Sequence, residues 1–169
     1  RRVARAAEGV LAFALSRADG TPLPGFRPGQ FVRLAFDLPG LDRQERSYSF
    51  TGAAHAGGHS AWHIAVGRAG EGGVSAALHR WFDEQPDGVL PVDAMAPGGR
   101  FLLPVAPVRP TVMVAVGVGI TPFLSMLETL AARVQAGQPA PRVPLLLVRG
   151  NRDSAHRAFT ARVDALKAW

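Results

Sequence analysis

The run VMVAVGVGITPFLSML, residues 112–127, limits the fold more than any other stretch of this 169-residue chain. An apolar strand runs straight into glycines, and Pro122 stands where a helix opens, a position whose N–H would have no partner anyway. The pattern then repeats, with an apolar strand at 145–148 and a helix expected over about 154–167. Strand, helix, strand, helix predicts a parallel α/β sheet. Glycines at such a turn let backbone approach a pyrophosphate, so it is a candidate dinucleotide site. Its spacing, G-x-G-x-x-P, departs from the G-x-G-x-x-G fingerprint and does not match a P-loop. A plain tight turn is the alternative.

Upstream of the proline-punctuated linker PVAPVRP (104–110) the texture differs. Short strands separated by glycine and proline are expected at 10–18, 31–36, 46–50, 61–66, 90–95 and 101–103, which suggests a barrel or sandwich. One helix interrupts them, because Val74, Ala77, Leu78, Trp81 and Phe82 fall at helical spacing after two glycines. Two domains follow, 1–106 and 107–169.

Composition removes several chemistries. The chain has no cysteine, so it offers no thiol nucleophile and no thiolates for an iron-sulfur cluster. No apolar run approaches the roughly 20 residues of a membrane span. The patch Val10–Leu15 reads as a strand rather than as the apolar region of a signal peptide, and a soluble, cytoplasmic protein is expected. Residue 1 is not methionine, so a longer natural chain is expected. The net charge of +6 is local: residues 1–108 hold 11 basic and 10 acidic groups, residues 109–169 hold 8 and 3. That points to an anionic ligand or acidic partner for the C-terminal part rather than to a nucleic-acid surface, or to an ordinary solvated arginine-rich face.

Two further stretches carry candidate chemistry. In RSYSF (46–50) a strand would place Arg46 and Tyr48 on one face and Ser47 and Ser49 on the other. A flavin needs an aromatic cover, a hydrogen-bond donor at its N5 edge and a guanidinium for its phosphates. A polar barrel edge is the plainer reading. In GEGGVSAALHRWF (70–82) the glycines precede a helix whose N-terminus could hold a phosphate, with Ser75 as a further donor, or could be an ordinary glycine turn with Ser75 in its first turn.

Taken in order, Arg46-Ser47-Tyr48-Ser49, Gly72-Gly73-Val74-Ser75 and Gly117-Val118-Gly119-Ile120-Thr121-Pro122 resemble the ferredoxin-NADP reductase superfamily of flavin-dependent reductases. PGQFV (28–32), HIAV (63–66), APGGRFLL (96–103) and RGNRDSAHRAF (149–159) agree, and the tail is similar to the reductase parts of flavohaemoglobins and oxygenase-linked reductases. The resemblance implies a six-stranded antiparallel flavin-binding β-barrel followed by a partial Rossmann-like nicotinamide-binding α/β domain, one that ordinarily continues through further strands.

It also implies roles. Tyr48 would pack on the isoalloxazine, Ser49 would donate toward its N5 edge, and Arg46 would neutralise the FAD pyrophosphate with Ser47 beside it. Gly72, Gly73, Val74 and Ser75 would bind that pyrophosphate from the helix end, with His63, Ala65 and Val66 on the neighbouring strand. Gly117, Gly119 and Thr121 would receive the nicotinamide dinucleotide, with Thr121 nearest the nicotinamide. Ser49 and Thr121 are thus the catalytic candidates. Where many relatives have a lysine after the HIAV strand, this chain has Gly67 and then Arg68, which could take over that contact. Arg149 and Arg152 stand where an acidic residue would select NADH, a lean toward NADPH over NADH.

The implied activity is transfer of hydride from NAD(P)H to FAD and of electrons to a separate acceptor, a haem, iron-sulfur or oxygenase protein or domain. A flavin-binding regulatory or docking module without nicotinamide turnover is the alternative. His55, His59 and His63 are spaced by four, but Gly57 and Gly58 argue against one helix, and no metal site is expected.

Overall fold

A computed structural model describes residues 1–55, 57–104 and 106–168. Its elements are β1 (Arg2–Ala7), β2 (Val10–Leu15), β3 (Phe31–Phe36), β4 (Gln44–Ser49), β5 (Trp62–Gly67), α1 (Gly73–Glu84), β6 (Asp93–Ala94), β7 (Thr111–Val116), α2 (Thr121–Gln135), β8 (Leu145–Gly150) and α3 (Thr160–Ala165). The first six strands form two antiparallel sheets of order β1-β2-β5 and β4-β3-β6. Among the described residues, an antiparallel bridge, Phe50 to Ile64, links them. Strands β7 and β8 pair in parallel, Thr111 opposite Leu145 through Val116 opposite Gly150.

The six antiparallel strands are not the six expected. The stretch 101–103 is not a strand, and its Phe101 lies edge-on against Phe123 instead. The sixth strand is β1, an arginine- and alanine-rich segment with little β-branched content that joins β2 through a turn with Gly9 at φ 67°. The stretch 90–95 shortens to Asp93–Ala94, paired with Ala35 and Leu34; Pro91 has no N–H to offer a ladder. Among the described residues the ladders do not close into a barrel. Val105 of the linker lies outside the described residues.

Alternation along β2 and β5 explains the architecture. Leu11, Phe13, Ile64 and Val66 face one way, into a core shared with Leu34, Phe50, Phe82 and Leu78. Val10 and Ala65 face the other way, into a second core with Met113, Ile120, Phe123, Leu124, Ala158 and Val163. The sheet β1-β2-β5 is therefore covered on both faces, which is why β2 and β5 read as nearly continuous apolar runs. Each large apolar side chain so buried contributes about 1.5–3 kcal/mol relative to exposure.

Helix α1 buries Val74, Ala77, Leu78 and Phe82, as the spacing predicts, with Trp81 partly buried beside them. The helix expected over 154–167 is corrected to Thr160–Ala165 and a final tight turn. The segment before it is held as turns: the Asp153 carboxylate accepts the His156 backbone N–H at 3.1 Å and sits 2.7 Å from its ring Nδ1, Arg149 donates to the Ala158 carbonyl, and Phe159 adopts a left-handed φ of 59° that a continuous helix cannot contain. On the β7–β8 sheet, Met113 and Ala115 are buried beneath α2, whereas Val112, Val114, Val116, Leu146 and Val148 stand exposed on the opposite face.

Candidate active site

Strand β4 presents its motif by register. Arg46 pairs with Leu34, Tyr48 with Val32, Ser47 with Arg33 and Ser49 with Phe31. Directly opposed residues share a face, so Arg46 and Tyr48 lie on the side of the buried Leu34 and Val32. Tyr48 is half-buried with its ring edge-on to Phe36 at 6.0 Å, and burial pushes its phenol up to about 12. Arg46 is exposed, donating at 2.7 Å to the Glu45 carbonyl and at 2.6 Å to Gln44 Oε1, and makes no ion pair among the described residues. Ser47 is exposed and Ser49 half-buried.

The bridge between Phe50 and Ile64 fixes direction. Following β4 back toward Arg46 runs alongside β5 forward toward Gly67, so Arg46 falls at the end of the sheet pair where α1 begins. There Gly72 is the N-cap with no side-chain cap, and Gly73 has φ 76°, a left-handed conformation that favours glycine. A Cβ on either glycine would meet open space, leaving the first N–H groups of α1 free for an anion. Ser75 Oγ is turned to the preceding loop, accepting the Ala69 N–H at 3.1 Å. Val74, Ala65 and Val66 are buried, with their side chains in the cores rather than at the turn.

One residue here has no counterpart in the sequence reading. His79, 1% exposed on α1, places Nε2 3.1 Å from the Val66 carbonyl and locks α1 to β5. Burial, more than any charge, holds its pKa below the usual histidine value. Its sequence signal is faint: a histidine inside the apolar stripe of a helix.

Between the two halves lies a cleft of about 620 Å³ whose lining includes Gly67, Arg68, His79, Gly117, Val118 and Arg152. Three residues expected at the ligand, Arg68, Gly117 and Arg152, therefore share one cavity. Gly117, at φ 54°, begins a tight turn through Ile120 that leads into α2. Thr121 is 7% exposed, and its hydroxyl donates to the Val118 carbonyl at 3.1 Å, which leaves oxygen lone pairs rather than a free proton for a ligand. Arg149 is not in this cleft. It points to the opposite face of β8, beneath α3, where burial and then Arg157 lower its pKa.

His63 is exposed and its pKa is lowered by desolvation first and by Arg162 second. His59 stacks on Phe26 with ring centres 4.6 Å apart and accepts the His55 backbone N–H at 3.3 Å. Among the described residues no three metal-ligating side chains converge, and no helix is long and apolar enough to cross a membrane.

The model of the oxidoreductase NAD-binding domain family matches residues 113–168. The flavohemoprotein of Deinococcus radiodurans is 39% identical over 133 residues, covering 78% of this chain and 30% of that protein. The flavohem-like FAD/NAD binding domain of nitric oxide dioxygenase from Vibrio cholerae superposes with a TM-score of 0.77 at 28% identity, over 99% of this chain and 67% of that one. Phthalate dioxygenase reductase, described as a modular structure for electron transfer from pyridine nucleotides to [2Fe-2S], gives 0.70 at 27% identity, over 96% and 45%. The chain spans about a third of the length of the curated relatives it matches. An antiparallel β half joined to a parallel α/β half, the latter matching an oxidoreductase NAD-binding domain, defines the class of fold. Within that class, the chain belongs to the ferredoxin-NADP reductase superfamily and is similar to the reductase module of flavohaemoglobins.

Proposed function

We propose that this chain binds FAD on its β half, 1–106, takes hydride from NAD(P)H bound to its α/β half, 107–169, and passes electrons to a separate haem, iron-sulfur or oxygenase acceptor. The observation that carries the reading is the cleft between the halves, where Arg68, Gly117 and Arg152 meet at the mouth of the glycine turn. Supporting it are the uncapped N-terminus of α1 and the exposed guanidinium of Arg46, which no carboxylate pairs among the described residues, at the same end of β4 and β5. In this reading the two three-stranded sheets act as one flattened barrel, and the α/β half as a partial Rossmann-like unit.

FAD and NAD(P)H would supply the hydride and electron chemistry; the residues of this chain bind and orient. Arg46 and the backbone N–H groups of Gly73, Val74 and Ser75 hold a pyrophosphate, with Ser47 at the strand's outer face and His63, Ala65 and Val66 on the strand alongside. Tyr48, kept neutral by burial, covers an aromatic ring, and the hydroxyl of Ser49 donates to its polar edge. Gly117 and Gly119 admit a second pyrophosphate to the turn, and Thr121 fixes the turn's shape. Arg152, exposed in the cleft, favours NADPH by accepting a 2′-phosphate; Arg149, under α3, does not take part.

Equilibrium titration with FAD tests the flavin half directly. Arg46→Gln is expected to weaken FAD binding by roughly tenfold, the loss of one charge-assisted contact to phosphate. Unchanged affinity would remove Arg46 from the site.

A further inference from the structure

A buried polar stripe on α2 reaches, at its Thr129 end, the segment that follows the RSYSF strand. Thr121, Ser125 and Thr129 recur every four residues and are 7%, 0% and 9% exposed, among otherwise apolar neighbours. Thr129 Oγ1 accepts the Ala54 backbone N–H at 2.8 Å and donates to the Ser125 carbonyl at 2.6 Å. The residue before Thr129, Glu128, receives both arms of Arg162 from α3, Nε to Oε1 at 2.8 Å and Nη2 to Oε2 at 2.7 Å. The same Nη2 donates to the Thr51 carbonyl. Thr51 is 1% exposed, and its own N–H is held by the His63 carbonyl at 2.8 Å on β5.

We infer that Arg162, with Glu128 and Thr129, forms a clamp on residues 51–54 that sets the position of Ser49 relative to the turn before Thr121. Arg162 is therefore a positioning residue for transfer between the two halves, an inference that rests on the reductase reading. Two helices of the α/β half converge on the segment that begins two residues after Ser49: α3 reaches the Thr51 carbonyl through Arg162, which Glu128 holds, and α2 reaches the Ala54 N–H through Thr129. The bidentate fork fixes direction as well as distance. A lysine could keep the charge near Glu128 but could not reach Thr51 with the same planar geometry. Because reacting centres misplaced by about 1 Å can lose 10²-fold in rate, a clamp far from the chemistry can govern it.

The test compares the intact chain with Arg162→Gln, Arg162→Lys and the pair Arg162→Gln/Glu128→Gln. Two readouts are used: amide hydrogen exchange at Ala54 without cofactors, and single-turnover reduction of bound FAD by NADPH. The inference expects at least tenfold faster exchange at Ala54 in Arg162→Gln, roughly tenfold slower reduction with FAD and NADPH affinities within twofold, partial recovery in Arg162→Lys, and no further loss in the pair. Exchange unaltered at Ala54 overturns the clamp, whatever the flavin does. FAD affinity falling in step with the reduction rate overturns the positioning role and leaves a structural one. A wild-type chain that binds FAD and is never reduced refutes the reductase reading itself, and with it the positioning role, while the exchange result still decides the clamp.

Discussion

Val118 of the glycine turn packs onto Gly67 at the end of β5: a Cβ on Gly67 would stand 3.3 Å from both Cβ and Cγ1 of Val118. This contact sets how near the glycine turn approaches the strand that leads to α1. Gly67→Ala would force Val118 and its turn outward by a few tenths of an ångström. NADPH affinity and reduction rate are expected to fall by roughly three- to tenfold with FAD affinity unchanged, a displacement effect rather than a lost contact. Parallel losses in FAD binding would show that the contact supports the β half instead.

The chain contains a single tyrosine, so its phenol can be followed alone. Burial raises Tyr48 to about 12, and the nearby Arg46, pulling the other way, is the smaller influence. Ultraviolet difference titration is expected to show no phenolate below about pH 11. The neutral ring contributes stability that is present below pH 10 and lost as pH climbs toward 12. A midpoint near 10 would mean that Tyr48 is solvated and no ring cover.

Three histidines, His59, His63 and His79, have pKa values below 6.5, each from desolvation first. For a base depressed on folding, the unfolded chain takes up the extra protons, so stability is full above pH 6.5 and declines as pH falls below it. Urea unfolding at pH 7.5 and 5.5 measures the difference. His79→Gln, which keeps a donor for the Val66 carbonyl, is expected to flatten part of the decline; an unchanged slope would place it on other groups.

Much of this architecture is legible in the chain. The β-α alternation after the linker, the stripe of α1 and the order of the three motifs lead to the right class, because periodicity and glycine placement are local properties. What escapes is tertiary. Strand β1 exists because β2 has a free edge, not because arginine and alanine favour strands. The helix expected from Ser154 is withheld by Asp153, Arg149 and the left-handed Phe159, contacts that spacing cannot reveal. Arg149 and Arg152 look equivalent in sequence, yet Arg149 is on β8 and lies under α3, whereas Arg152 follows the strand's end and lines the cleft. The hydroxyl repeat at 121, 125 and 129 is visible but reads as ordinary helix until Ala54 is found against it.

In the proposed reading, Arg152 carries the choice of nucleotide. Arg152→Gln is expected to raise the apparent KM for NADPH by roughly tenfold, as one charge-assisted phosphate contact is worth 1.5–3 kcal/mol, with little effect on NADH. Equal changes for both nucleotides would assign Arg152 to the shared pyrophosphate.

Ser49→Ala separates orientation from binding. Loss of one donor at a developing charge costs on the order of 10²-fold in other systems, so FAD should still bind while its reduction slows by at least tenfold. Reduction at the wild-type rate would contradict the role given to Ser49.

The most direct measurement is an anaerobic absorbance spectrum of the chain loaded with FAD, recorded before and after addition of NADPH. Bleaching of the bound flavin bands is the result expected if the two halves bring a nicotinamide to a flavin across this cleft. Flavin that binds and stays oxidised would contradict that claim and favour a flavin-holding module that does not turn over nicotinamide.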